Sequence, residues 1–256
     1  HLALALGDLD APGAVLAAAD FRAPRAANTV VLLAVERLME SIALEPASLE
    51  AVAVGRGPGS FTGVRIGAAT AKGLAHGLGV PLVGFGTLDA VAHNAGAEGL
   101  IGVVGDAMRG EVYPALFRAH AGTVVRLVQD SVARPGEIAA EWAALGERVL
   151  LTGNGVAKHE GALLAALGER SVLVPEHRRV PVGPSVLAAA WAADGDRTLV
   201  AIRGLERDAA YNAAHPGAML PIYTRLSDAE EAERMRTGGE AAPPAAGVIG
   251  PGEART

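Results

Sequence analysis

Cysteine is absent from the 256-residue chain. That removes disulfides, thiolate metal sites and thiol nucleophiles from consideration. Aromatic residues make up only 4% while the hydrophobic share is 50%, much of it alanine, so the core must be built from small aliphatic side chains. No stretch reaches the ~18 consecutive apolar residues of a membrane span, and His1-Leu2-Ala3-Leu4 shows no basic signal region. The expectation is a soluble cytoplasmic protein without membrane contact. An excess of positive charge is missing too: the formal net charge is −6, which argues against a general electrostatic grip on RNA. The arginines at 22 and 25 and at 178 and 179 carry no interleaved aromatics, as solvated surface would. The seven histidines (1, 76, 93, 120, 159, 177 and 215) never fall within five residues of one another. No His-x-x-x-His metal pair exists, and His76 and His93 read as helix-face or capping residues. Ser60 directly follows Gly59, which does not fit a G-x-S-x-G nucleophile elbow.

What the chain does have is concentrated between Val54 and Leu78, VGRGPGSFTGVRIGAATAKGLAHGL. An apolar strand, 49–54, ends in Gly55, Gly57, Pro58 and Gly59, residues that permit a tight turn. A helix over 62–78 follows, with Thr62 as its expected N-cap and Gly79 as the C′ residue. Such a corner, from Gly57 to Ser60, can hold an anion on free N–H groups. It fits neither Walker A nor the dinucleotide fingerprint, and a corner without any ligand stays open. Within the helix, Gly63, Gly67, Ala71 and Ala75 recur every fourth residue and form one ridge without bulk. Interior glycines cost ~1 kcal/mol each, which close approach of another backbone would offset; the spacing does not say whether that neighbour belongs to the same chain. Arg65, in the first turn, opposes the helix dipole and is expected to pair with a carboxylate or bound anion.

The remaining pattern alternates strands and helices. Hairpin strands are expected at 2–6 and 14–18, and an apolar-striped helix at 29–43 through Val30, Leu33, Val35, Leu38 and Ile42. Further strands fall at 80–84, 100–106, 111–117, 149–152 and 172–174, and helices at 87–95, 137–145, 156–167 and 184–193. Repeated strand–helix units imply an α/β fold with partly parallel pairing. A charged helical stub over 227–236 and a flexible Gly/Pro/Ala tail over 237–256 close the chain. Asp106, Arg109 and Glu111 form the best polar cluster, gathered by a turn at Met108-Arg109-Gly110. It is read either as an ion pair stabilising the turn or as the lining of a cleft.

These residues carry a family resemblance. GRGPGSFTGVRIGAATAKGLA resembles the signature of the TsaB family of bacterial tRNA threonylcarbamoyladenosine biosynthesis proteins. The likeness continues through Val80–Gly84, Thr87–Ala90 and the hairpin Asp106-Ala107-Met108-Arg109-Gly110-Glu111-Val112-Tyr113. Weaker echoes lie at Leu151–Gly155 and Pro221–Arg225. It implies a two-lobed actin-like, sugar-kinase-like ATPase (ASKHA, RNase H-like) fold, with a first lobe over 1–98 and a second over 99–226. Family members open with a strand before the first hairpin, and here His1 stands where that hairpin is already under way. The family's His-x-Glu at the first helix is replaced by Ala26-Ala27-Asn28-Thr29.

Functionally, the resemblance implies a non-catalytic subunit pairing with the catalytic paralogue TsaD and the ATPase TsaE. That assembly transfers a threonylcarbamoyl group to an adenosine beside the tRNA anticodon. The expected partner surface comprises Gly63, Gly67, Ala71, Leu74 and Ala75 with Val30 and Leu33, and a homodimer through the same face is expected in isolation. A nucleotide or cleft site would draw on Gly57, Pro58, Gly59, Ser60, Arg65, Asp106, Arg109 and Glu111. No cofactor or metal is assigned to the chain; the assembled complex has room for ATP or ADP, and tRNA is reached only through that complex. The alternatives are a stand-alone ATPase or small-molecule kinase of the same fold, which needs an acidic phosphate-and-metal turn, and a metalloprotease, which needs a zinc motif.

Overall fold

The computed structural model describes residues 1–22, 27–193 and 197–224. The stub and tail expected over 227–256, and the first residue of the departure at Ala26-Ala27-Asn28-Thr29, lie outside the described residues.

Strands β1 (Leu2–Gly7) and β2 (Val15–Phe21) form an antiparallel hairpin. Helix α1 (Ala27–Glu40) leads through a 3-10 turn at Pro46–Ser48 to β3 (Val52–Gly55). The strand expected at 49–54 therefore starts later, because Pro46 opens that turn. Helix α2 (Phe61–Leu78) follows, then β4 (Leu82–Phe85), parallel to β3, and α3 (Thr87–Ala95). In the second half β5 (Gly99–Asp106), β6 (Val112–His120) and β7 (Thr123–Arg126) form a meander. Then come α4 (Pro135–Ala143), β8 (Val149–Thr152), α5 (Val156–Leu167), β9 (Ser171–Leu173) and α6 (Gly183–Trp191). The five-stranded sheet runs β7-β6-β5-β8-β9, with β5 antiparallel to β6 and parallel to β8. Two short helices, α7 (Leu199–Ile202) and α8 (Arg207–Ala213), close the described part. The α/β fold expected from the sequence is the fold observed.

Each half lends a helix to the other. On one face of the five-stranded sheet, Leu88, Val91, Ala92 and Ala95 of α3 join Ile101, Val103 and Phe117; on the other, α4 and α5 bring Ile138, Trp142 and Leu163 against Leu100 and Leu151. Conversely α6 packs on β1 to β4, with Ala189 and Ala190 beside Val83 and Phe85. Alanine at these contacts lets helix and strand backbones approach closely, which is how a core with so few aromatics closes.

The ridge on α2 is turned inward. Ala71 and Ala75 are buried with Val80, Leu82 and Met219, and Val52 and Val54 of β3 pack on them. This corrects their assignment to a partner surface, because neither has side-chain area left to offer. Gly67 is half-buried over Val54 and Leu74 is half-buried; Gly63 stays exposed. On α1 the buried face is Val31, Ala34, Leu38 and Met39; Leu38 is buried as expected and Val35 half-buried, while the N-terminal part of the stripe is turned by one position, leaving Leu33 at 45% and Leu32 at 55% exposure. Val30 is half-buried.

Candidate functional site

The corner between β3 and α2 is shaped by backbone. Gly57 has φ +105°, and a Cβ there would meet Ile222 O at 2.9 Å. Its N–H donates to Thr87 Oγ1 at 3.0 Å, and its carbonyl accepts from Thr87 N at 2.8 Å. The N-cap is Ser60, not Thr62: the Ser60 hydroxyl accepts from Gly63 N at 3.4 Å, because the helix begins one residue earlier than expected. Gly79 closes the helix in the left-handed region as expected.

The segment after α8 docks on this corner. Ile222 N donates to Arg56 O (2.7 Å), and Arg56 Nε donates to Leu220 O (2.7 Å). That brings Tyr223 to Arg65. The Arg65 guanidinium lies 3.7 Å from the Phe61 ring centroid, and its Nε donates to Tyr223 Oη at 3.3 Å. Where a carboxylate or anion partner was expected, the cation rests on aromatic faces, an interaction of ~0.5–1 kcal/mol at an exposed site. His76, on the far end of α2, meets Tyr211 Oη at 2.8 Å and so ties α2 to α8, a helix-face role.

The second polar site is the end of β5. Met108 and Arg109 both have positive φ, +66° and +51°, at the hairpin tip. The corner between β8 and α5 presses against this strand: a Cβ on Gly153 would collide with the Val104 carbonyl, and one on Gly155 would meet Asp106 N at 3.1 Å. Asp106 is thereby surrounded. Its N–H donates to Asn154 Oδ1 (3.0 Å), and its carboxylate accepts from Met108 N (3.0 Å) and from Lys158 Nζ (2.9 and 3.1 Å). His159 Nε2 lies 3.8 Å from Asp106 Oδ1, buried and without a hydrogen-bond partner among the described residues. Burial pushes the Asp106 carboxyl up, but the Lys158 and Met108 hydrogen bonds and the charge of Lys158 and His159 outweigh it. The group is held below the ordinary carboxylate range.

Arg109 and Glu111 instead line an open hollow of about 610 Å³ with Arg134, Pro135 and Glu137 at the start of α4. So Lys158 bonds Asp106 to α5, and Arg109 and Glu111 line the hollow beside the start of α4. Asn154, Lys158 and His159 were not singled out from sequence as site residues; the glycine-asparagine corner Leu151–Gly155 was the one signal pointing to them.

Several large apolar side chains remain outside the core. Leu32 and Leu33 stand on α1, and Val15, Leu16 and Phe21 on β2, the strand that α1 packs against. No group of three or more metal-ligating side chains occurs among the described residues, and none of the described helices is long and apolar enough to cross a membrane.

Comparison with known proteins gives this geometry a family. A profile described as "TsaD: tRNA N6-adenosine threonylcarbamoyltransferase" matches residues 22–168. The tRNA threonylcarbamoyladenosine biosynthesis protein TsaB of Bacillus subtilis is 31% identical over 202 residues, 77% of this chain and 79% of that protein. The Escherichia coli protein of the same name is 33% identical over 135 residues, 48% of this chain and 58% of its own length. The solved structure of YeaZ from Pseudomonas aeruginosa superposes with a TM-score of 0.61 at 26% identity, covering 80% of this chain and 88% of that one. The helix-exchanged α/β architecture, the glycine corner and these matches agree, and the chain belongs to the TsaB family.

Proposed function

We propose that this chain acts in tRNA threonylcarbamoyladenosine biosynthesis as a non-catalytic subunit that docks onto a TsaD-type transferase. The observation that carries the docking role is the exposed apolar pair Leu32 and Leu33 on α1, with Val15, Leu16 and Phe21 also exposed on β2, the strand α1 packs against. Large apolar side chains left exposed on packed neighbouring elements are typical of a protein contact surface. On this reading the partner surface lies on the outer side of α1 and draws on Leu33, the half-buried Val30 and the exposed Gly63 from the expected set. The non-catalytic role is supported by the state of Asp106, whose carboxylate is engaged by Lys158 rather than offered to a substrate. TsaE and tRNA then join through the transferase, a nucleotide binds in the assembled complex, and two copies of this chain pair through α1 when no transferase is present.

The test is sedimentation of the chain alone and mixed with TsaD, together with tRNA modification by the reconstituted set. Leu33→Glu should abolish both pairings and the modification while leaving the melting temperature within a degree or two, since exposed positions change stability by at most ~0.5 kcal/mol. Unchanged pairing by Leu33→Glu and Leu32→Glu together, or ATP turnover by the chain alone, would overturn this reading.

A further inference from the structure

His159, near the start of α5, is a buried imidazole whose inner nitrogen bonds nothing. Its side chain is 10% exposed, and Nε2 stands 3.8 Å from Asp106 Oδ1 with no hydrogen-bond partner among the described residues. A polar nitrogen stripped of water and left unpaired is costly, so an acceptor this near and yet unused needs a reason. The occupancy of the carboxylate supplies it. Asp106 Oδ1 already accepts from Met108 N at 3.0 Å and from Lys158 Nζ at 2.9 Å, which fills both lone pairs of that oxygen. Oδ2 accepts from Lys158 Nζ at 3.1 Å. Lys158 therefore keeps His159 out.

The two cations are not equivalent. Lys158 is 45% exposed, on a flexible stem whose ammonium is readily hydrated. His159 is buried, and α5 packs against α4, β5, β8 and β9. β8 and β9 carry no ionisable side chain, and Asp106 is the one such residue on β5. Glu137 and Glu141 of α4 are exposed, away from the buried Ile138, Ala139 and Trp142. On α5 itself Glu160 is half-buried, and Glu169 and Arg170 follow the far end of the helix. The charges set against the His159 ring are those of Asp106 and Lys158.

We propose that Asp106 is a proton-operated switch point, at which protonated His159 displaces Lys158 from Oδ1. With the imidazole neutral, Lys158 holds both carboxylate oxygens. A proton taken from solvent makes both ring nitrogens donors and adds a charge. Nε2–H then closes the 3.8 Å gap to a charge-assisted bond, and the ammonium retreats to Oδ2 and water. The change reaches the surface through Met108, whose N–H shares Oδ1. Met108 and Arg109 form the hairpin tip, both at positive φ, and Arg109 lines the hollow beside α4. Mild acid thus acts on the hairpin from inside the fold.

Nuclear magnetic resonance of the full chain tests the proposal, read at histidine rings, lysine ammonium groups and backbone amides. The range is from about pH 8 to about pH 5, across which histidines charge. The Lys158 ammonium and the Met108 amide should shift together with the His159 ring, all with one midpoint. The Nε2 proton of His159 should become protected from solvent exchange on the acid side. Lys158→Met frees a lone pair on Oδ1, so Nε2 should be bonded at both ends of the range and the Met108 shift lost. His159→Gln should abolish the shared response of Lys158 and Met108. A His159 ring that charges while Lys158 and Met108 stay still would overturn the proposal, as would a ring that takes up no proton in this range. A Met108 response surviving in either variant would overturn it as well.

Discussion

Gly67 is where the packing of α2 can be measured most directly. A Cβ at this position would lie 3.8 Å from Val54 Cγ2, an ordinary contact, so alanine fits without displacing the strand. Replacing an interior helical glycine with alanine is worth ~1 kcal/mol. For a chain of this length that raises the melting temperature by about 2–4 °C. Gly73 supplies the control, because nothing lies within 4 Å of its added Cβ; Gly73→Ala should give a similar gain with no contact made. Leucine at 67 differs. Its branched end must enter the layer where Val54, Ala71 and Ala75 meet, and overpacking of that kind costs ~1–3 kcal/mol. Helix propensity returns somewhat less than ~1 kcal/mol, so Gly67→Leu should be destabilised by up to about 2 kcal/mol. Thermal melting of the variants, with sedimentation in the presence and absence of TsaD, reads both quantities. A Gly67→Leu protein that melts at or above the parent temperature but no longer pairs with TsaD would refute the inward packing.

Other positions give separate tests. Lys158→Met should lower stability at pH 7 by ~0–1 kcal/mol, since the pair is partly exposed. Asp106 is depressed in the fold, so its contribution is present above the ordinary carboxylate range and lost as pH falls through the lowered value. The difference from the parent should therefore shrink as pH falls through the lowered Asp106 value, and a difference unchanged across acid melts would refute the assignment. Arg126 lies between Asp89 and Asp130, all three side chains no more than 27% exposed. Arg126→Met should cost ~3–5 kcal/mol in urea unfolding by leaving two carboxylates without a cation. Burial raises the Asp130 carboxyl despite the arginine, so its ionisation opposes folding as pH rises through the raised value. The loss should be smaller at pH 4 than at pH 7, and a loss under 1 kcal/mol or one independent of pH would count against the network. Met108, 64% exposed with φ +66°, sits in a region costing non-glycine residues ~1–2 kcal/mol. Met108→Gly should raise the melting point by a few degrees, and a drop would show that the methionine makes a stabilising contact.

The strand and helix order from β1 to α6, β7 excepted, was legible because small-residue helices bounded by glycine leave strong local marks. What failed did so where local chemistry is neutral. β7 is four residues long, and its strand character comes from register on β6 rather than from Thr123-Val124-Val125-Arg126 itself. Helices α7 and α8 are too short to show periodicity and gain their definition from burial of Leu199, Ile202 and Ala210. The four-residue spacing of Gly67, Ala71 and Ala75 defined a face, yet the choice between own sheet and partner depended on where Val54 lies. The Asp106 partner was out of reach for a related reason: Lys158 stands 52 positions away, and only the approach of the β8–α5 corner to β5 brings them together. The Phe61–Arg65–Tyr223 stack likewise depends on the return of residues 220–223 to the glycine corner.

The exchange of α3 and α6 sets the order in which the molecule can be completed. During synthesis, α3 emerges before the sheet it covers, and the first-half strands wait for α6 to cover one of their faces. Between Ala95 and Trp191 lie about a hundred residues, which at typical elongation rates is a delay of about 5–20 s. Through that interval one face of β3 and β4 and the apolar face of α3 have only each other or a chaperone to meet. Neither half can then act as a folding unit released early. Cleavage between Gly96 and Gly99 should yield fragments that recover structure only when mixed, each supplying the helix that the other's sheet requires.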